Sequence, residues 1–471
     1  MKVLFCASES APYAKTGGLA DVIGALPKAL KEMKCDARVI MPYYKKIKEK
    51  NIANYKGYAY VRISERMEYV GVFEAIHDGV EFYFIDSDRY FNRDGLYGYG
   101  DDGERFAFFN FAILEALKVI NFFPDVLHLN DWQTGLIPYI LKANYHYYPD
   151  YNRIKVVYSI HNIQYQGNFP MDMMRILFMP YSSSLEFDNC INFMKTGILE
   201  SNVVTTVSET YKNEVLTDFY GYRLNNILGL RYFDFYGILN GIDVVKYDPS
   251  TDKNIYANYS VDTFIQGKKT NKEALLKEFG LSTEDVPLFG LVSRLVDQKG
   301  IDLLMPIIDD VIQYSNAKFI LMGSGDQLYE NFFREMEAKH PNRFKCYIGY
   351  SDPIAQKIYA GSDIFLMPSK FEPCGLGQMI AMRYGTLPLV RETGGLKDTV
   401  QPYNEYTNEG TGFSFTNYNP TELKDIMFLA LNTYNNNKKA WKALVKQAME
   451  KDYSWAASAS KYLDIYKKIT L

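Results

Sequence analysis

Short apolar runs alternate with stretches of helical spacing from the first residues of the chain onward. Val3–Ala7, Arg38–Met41, Phe82–Ile85, Val126–Leu129, Lys155–Ile160 and Val203–Val207 read as strands. Leu19–Met33, Arg105–Ile120, Trp132–Ala143 and Glu209–Asp218 between them read as helices. Strands that are apolar without alternation and separated by helices predict a parallel sheet covered on both faces. Residues 246–272 break the pattern: they are polar, poor in core runs and rich in Asp, Asn, Lys and Thr, as a linker would be. The alternation restarts with strands at Leu288–Val292, Lys318–Met322, Phe344–Ile348, Ile364–Met367 and Thr386–Val390. Helices are expected at Leu303–Gln313, Gln327–Lys339, Ile354–Ala360 and Gly375–Tyr384, with a last amphipathic one at Ser454–Ile469. The prediction is α/β: doubly wound domains over 1–245 and 246–450, then a terminal helical segment, 451–471. Ligands of such sheets bind beyond the carboxyl ends of the strands, and two sheets facing each other would enclose a deep cleft.

Composition narrows the picture. A length of 471 residues alone suggests about three domains, where the pattern gives two. Lys+Arg 52 against Asp+Glu 56 leaves a net charge of −4, which excludes binding to nucleic acid through a bulk positive field but not a local basic cleft. No membrane-length apolar window is present, and MKVLFCASES reads as a first strand without a signal-peptide h-region. Cys6, Cys35, Cys190, Cys346 and Cys374 show no CxxC or zinc spacing, the usage of free thiols in a reducing compartment. A soluble cytoplasmic protein is therefore expected. Tyr 40 and Phe 30 form an aromatic surplus that composition does not explain.

Candidate chemistry follows the strands. Lys15-Thr16-Gly17-Gly18-Leu19 opens the first helix, where glycines admit close backbone approach and helix-start N–H groups favour an anion. A plain strand-to-helix turn fits the stretch equally well. HLNDW at 128–132 and SIHNIQYQG at 159–167 stand at the ends of apolar strands; His128 and His161 there are either site groups or hydrogen-bonded structural ones. SRLVDQKG at 293–300 places Arg294 and Lys299 around a helix start, so both cations could converge on a diphosphate. In PSKFEPCGLG at 368–377, Pro373 fixes the backbone after Glu372, the carboxylate suits hydroxyl recognition, and Cys374 reads as a packed thiol without a partner His.

With these motifs assembled, the sequence resembles glycosyltransferase family five, the bacterial glycogen synthases and plant starch synthases. SESAPYAKTGGLADV, HLNDWQTGL, SIHNIQYQG, NGID at 240–243, SRLVDQKGIDLL, IGY at 348–350 and the long PSKFEPCGLGQMIAMRYGTLPLVRETGGLKDTV carry the resemblance over essentially the whole chain. It implies the GT-B fold, with two Rossmann-like domains and a final helix crossing back to the first. It also implies transfer of glucose from ADP-glucose to the non-reducing end of an α-1,4-glucan with retention, without metal or other cofactor. By position, Lys15 and Gly18 would meet the donor phosphates and sugar, and Asp21 would lie near the nucleotide. Asp131 and His161 would flank the glucosyl group, with Asn162 and Asn240 among its hydroxyl partners. Arg294 and Lys299 would neutralise the leaving diphosphate, Tyr350 stack on adenine, Glu372 orient the glucose, and the Cys374-Gly375-Leu376-Gly377 backbone take phosphate. Tyr97 and Tyr165 are further candidates to face nucleotide or glucan. Two departures stand out: Ile380 occupies the position of a ribose-binding glutamate found in many retaining GT-B enzymes, and Gly377 that of a hydroxyl residue in some bacterial members. The alternatives are the same chemistry with UDP-glucose or a smaller acceptor, or a glucan-binding protein without catalysis.

Overall fold

The apolar runs form parallel strands. A computed structural model describes residues 1–471 and divides into two units, Met1–Gly241 with Trp455–Leu471, and Ile242–Ser454. The first unit thus ends at Gly241 where the composition change suggested 245, and the returning segment starts at Trp455 rather than 451.

The strands of the first unit are β1 (Lys2–Cys6), β2 (Asp36–Pro42), β3 (Asn54–Ile63), β4 (Arg66–His77), β5 (Val80–Asp86), β6 (Val126–Asn130), β7 (Lys155–Ile160), β8 (Asn168–Pro170), β9 (Glu186–Phe187), β10 (Cys190–Asn192), β11 (Val203–Thr206) and β12 (Phe235–Gly237). Nine of them form one sheet in the order β12-β11-β7-β6-β1-β2-β5-β4-β3. It is parallel up to β5, and β3 and β4 close it as an antiparallel edge. β8, β10 and β9 make a small antiparallel sheet. The hairpin of β3 and β4 is absent from the apolar-run reading because tyrosines on its outer face blur the alternation that Val61, Ile63, Val70 and Val72 keep on the inner one.

Trp132–Ala143, expected as one helix, is broken into a 3-10 turn (Trp132–Thr134), one α-turn (Ile137–Ile140) and a wide turn (Leu141–Tyr145). The buried Asn110 explains the break: its Oδ1 accepts the N–H groups of Leu136 and Ile137, at 3.0 and 2.9 Å, before a helix can use them.

The C-terminal helix Trp455–Thr470 belongs to the first unit. Tyr466 Oη lies 2.5 Å from His128 Nδ1, His128 Nε2 lies 2.6 Å from Ser159 Oγ, and that oxygen lies 2.5 Å from Thr205 Oγ1. Burial holds the imidazole down at about 3, so it stays neutral and braces β6, β7, β11 and the helix. His128 is therefore structural. His128→Leu should lower the stability of this unit by roughly 2–4 kcal/mol, since Tyr466 and Ser159 lose a buried partner, with turnover of the folded fraction unchanged. Urea unfolding and kcat check this together.

In the second unit β13 (Leu288–Val292), β14 (Lys318–Gly323), β15 (Phe344–Ile348), β16 (Ile364–Met367), β17 (Leu387–Arg391) and β18 (Phe413–Phe415) form an all-parallel sheet in the order β15-β14-β13-β16-β17-β18. The last third of the expected linker, 264–272, is the start of a helix, Phe264–Glu278. Its covered face includes Gly267, Asn271 and Lys272, so a polar composition conceals a packed helix.

Candidate active site

In the first unit, the loops after β1, β6 and β7 lie side by side because these strands are neighbours in the sheet. Buried Glu9 organises the first loop, accepting the Thr16 backbone N–H at 2.7 Å and the Thr16 hydroxyl at 2.6 Å. It delivers the chain to the helix Gly18–Glu32, whose cap residue Gly17 offers no side-chain acceptor to the first turn. A side chain at Gly18 would point into open space, so packing does not demand glycine there; the bare position leaves helix-start N–H groups uncovered. Lys15 reaches Asp21 with a 2.7 Å ion pair.

Asp131 takes a positive φ of 56° at the end of β6. Its Oδ1 accepts the His161 N–H at 2.8 Å and the Asn162 N–H at 3.4 Å, so the ends of β6 and β7 are tied through one carboxyl. His161 Nε2 sits 2.9 Å from Asn130 Oδ1, while the Asn130 amide donates to the carbonyls of Cys6 and His128. That network makes Nε2 the protonated nitrogen and leaves Nδ1 as an acceptor. Burial holds the ring at about 3, so His161 is neutral at physiological pH. Gly167, at φ +67°, ends its loop against Trp132, where a Cβ would come within 2.5 Å of the indole; the two motifs pack on each other there. Asn240 is buried with Oδ1 lacking a partner, as an atom awaiting a ligand would be. Tyr97 hydrogen-bonds Ser8 at 2.7 Å, and Tyr165 is exposed.

Burial raises the Asp131 carboxyl to about 7, against hydrogen bonds that lower it. A carboxyl whose folded pKa is raised weakens folding as pH climbs from its unfolded value near 4 to its folded one, and the penalty is complete above that. Asp131→Asn removes this dependence. Wild type should thus lose about 2 kcal/mol relative to the variant between pH 4 and pH 8, the partial solvent contact of Asp131 trimming the full effect. Urea midpoints at the two pH values check it; parallel profiles would contradict it.

In the second unit, β13, β16 and β17 are neighbours, and the loops after β13 and β16 bound a pocket of about 220 Å³. Arg294, Lys299, Glu372, Gly375, Leu376 and Gly377 line it, which gathers most of the residues the resemblance assigns to this half. Lys299 Nζ lies 2.6 Å from Glu372 Oε2, and the Ser369 hydroxyl donates to the same oxygen at 3.1 Å. Glycines make the close approaches: a Cβ on Gly300 (φ +71°) would stand 2.0 Å from the Pro368 carbonyl oxygen, and one on Gly394 (φ +44°) 2.0 Å from that of Glu372. At Gly377 a Cβ would come within 3.1 Å of Phe365 and 3.3 Å of Met367, which accounts for the missing hydroxyl side chain. Cys374 and Tyr350 do not line the pocket. Cys374 is buried, and Tyr350 is exposed with its phenol 2.5 Å from Asp352 Oδ1. Glu9 and Asn130, and Ser369 and Tyr359 in the pocket lining, carry no individual signal in the sequence. Asn130 alone has a cue in its position between His128 and Asp131. Nowhere do three or more His, Cys, Asp or Glu side chains gather as a metal site would require.

Residues 2–229 match the family described as the starch synthase catalytic domain, and 272–448 match glycosyl transferases group 1. The glycogen synthase of Acholeplasma laidlawii is 49% identical, the alignment covering 100% of this chain and 99% of that protein. The chain belongs to the glycogen synthase family. The glycogen synthase of Clostridium perfringens is 48% identical over 100% of this chain and 98% of that one. Among solved structures, the catalytic domain of starch synthase IV from Arabidopsis thaliana, bound to ADP and acarbose, superposes with a TM-score of 0.91 at 32% identity, covering 99% of each chain. Sucrose-phosphate synthase from Thermosynechococcus elongatus, at 14% identity and a TM-score of 0.59, shares the fold alone. The fold is thus GT-B, and the family's reaction is glucosyl transfer in glycogen synthesis. No helix is long and apolar enough to cross a membrane.

Proposed function

We propose that the protein transfers glucose from ADP-glucose to the non-reducing end of an α-1,4-glucan, with the anomeric configuration retained and no cofactor besides the donor. The observation that carries this reading is the pocket of the second unit, where Arg294 and Lys299 stand with Glu372 at the ends of adjacent strands. When the bond from the glucosyl C1 to the diphosphate breaks, negative charge grows on the departing ADP and positive character on the sugar. Arg294 and Lys299 stabilise the first more in the transition state than in the ground state. Glu372, held by Lys299 and Ser369, orients the glucose through its hydroxyls.

The first unit contributes Lys15 and the uncapped helix start at Gly18 for phosphate oxygens, with Asp21 toward the nucleotide. Asp131, His161 and Asn162 contact the glucosyl group, and Asn240 Oδ1 gains a hydroxyl partner. A neutral His161 accepts a sugar hydroxyl at Nδ1 without adding a cation that would oppose the developing oxocarbenium charge. The acceptor hydroxyl attacks from the face the phosphate leaves, and its proton passes to a phosphate oxygen. Tyr350 supplies a surface for adenine, and Cys374 contributes backbone only.

Initial rates of labelled glucose incorporation into glycogen, with ADP-glucose and UDP-glucose compared, test the reading. A clear preference for ADP-glucose is expected; a preference for UDP-glucose would overturn the donor assignment.

A further inference from the structure

The outermost hairpin of the first unit carries tyrosines on the face its core does not use. Val61 and Ile63 of β3, with Val70 and Val72 of β4, are covered on the inner face. On the outer face Tyr60 stands directly opposite Tyr69, and Tyr58 opposite Gly71. Tyr58, Tyr60 and Tyr69 are 58%, 52% and 41% exposed. Their rings nonetheless contact one another: Tyr58 stacks on Tyr69 at 6.0 Å, and Tyr60 meets the two edge-on at 5.8 and 6.1 Å. Gly71 permits this arrangement, since a Cβ there would come within 3.1 Å of the Tyr69 ring. Three large rings left in water, mutually packed and laid along a rigid sheet, form a preorganised aromatic surface.

We infer that Tyr58, Tyr60 and Tyr69 form a platform that binds α-1,4-glucan chains away from the reacting site, holding the polymer on the enzyme. This rests on the glucan acceptor proposed above. Tyrosine rings take the C–H faces of glucopyranose by stacking, and their hydroxyls meet sugar hydroxyls, whereas an aliphatic patch would offer no polar partner. The charges bordering the rings are already engaged: Asp86, opposite Gly71 on β5, is paired with Lys48 at 2.6 Å, and Arg62 lies over the Phe178 ring at 3.8 Å. The patch therefore matches a neutral, hydroxylated polymer and not an acidic one. A second copy of the chain fits less well: edge strand β3 carries a register irregularity between Tyr55 and Gly57, with charged Lys56 in it, and such features discourage strand-to-strand pairing.

The test uses the full chain and a triple variant, Tyr58→Ser, Tyr60→Ser and Tyr69→Ser, with Tyr60→Trp as a control that keeps the stack. Native gels containing glycogen read binding, and kinetics use glycogen and maltotriose as acceptors. Wild type and Tyr60→Trp should be retarded by glycogen, while the triple variant migrates as in plain gel. Its KM for glycogen should rise about tenfold or more, with kcat on maltotriose unchanged. Equal retardation of triple variant and wild type would overturn the platform. So would sedimentation in which wild type is a dimer and the triple variant a monomer, which would assign the face to a second copy. Should wild type transfer no glucose to either acceptor, the proposed function fails, and retardation still reads the platform separately.

Discussion

Lys299→Ala should lower kcat by about 10²–10³-fold, the loss seen when one preorganised donor is removed from a developing anion, with a smaller change in KM. Lys299 is the cation whose position is most tightly fixed. Its loop leaves β13 and turns at Gly300, whose backbone passes under the Pro368 carbonyl, and its Nζ lies 2.6 Å from Glu372 Oε2. On the proposed function, the substitution removes positive charge from the leaving phosphate and frees the Glu372 carboxylate proposed to orient the sugar, so both sides of the breaking bond should suffer. The Ser369 hydroxyl still donates to Glu372, which keeps the folding cost near 1–3 kcal/mol and the variant folded. Steady-state kinetics with a urea midpoint separate the two effects. A kcat within a few-fold of wild type would remove Lys299 from the machinery.

Gly394→Ala should disable the protein by a different route. At φ +44° an alanine costs about 1–2 kcal/mol, and its Cβ would stand 2.0 Å from the Glu372 carbonyl oxygen, an approach no rotamer relieves. The backbone on one side must move, adding about 1–3 kcal/mol. The segment next to it is the one that aims Glu372, since the Gly395 N–H donates to the Glu372 carbonyl at 3.1 Å. A displacement near 1 Å at a positioning group costs about 10²-fold in rate, so activity should fall further than stability alone explains. Thermal unfolding and kcat of the folded fraction give the two numbers. Wild-type stability with wild-type kcat would show that the close approach is dispensable.

Much of this site was legible because buried parallel strands announce themselves. Phe319–Met322 and Ile364–Met367 are unbroken apolar runs and Lys155–Ile160 is nearly so, and the candidate chemistry follows such strands at His161 and Glu372. What sequence could not decide was the role of two histidines in similar settings. His128 lies within β6 and is enclosed by Tyr466 from a helix more than three hundred positions away, a partner visible only once the chain has folded. His161 stands one residue past β7 and keeps a ring nitrogen for a ligand. Glu9 was missed for a related reason. It contacts no candidate ligand group but holds the loop that does, and such support has no local pattern. The aromatic surplus divides in the same way: Tyr466, Tyr158 and Tyr211 are core, whereas Tyr58, Tyr60 and Tyr69 are exposed on a sheet face.

The proposed reaction is a glucosyl transfer with defined stereochemistry. Incubation with ADP-glucose and maltoheptaose, followed by proton NMR of the anomeric region, tests it most directly. α-1,4-linked extension at the non-reducing end is expected, with one ADP released per glucose transferred. Free glucose without chain growth, or a β-linked product, would contradict it.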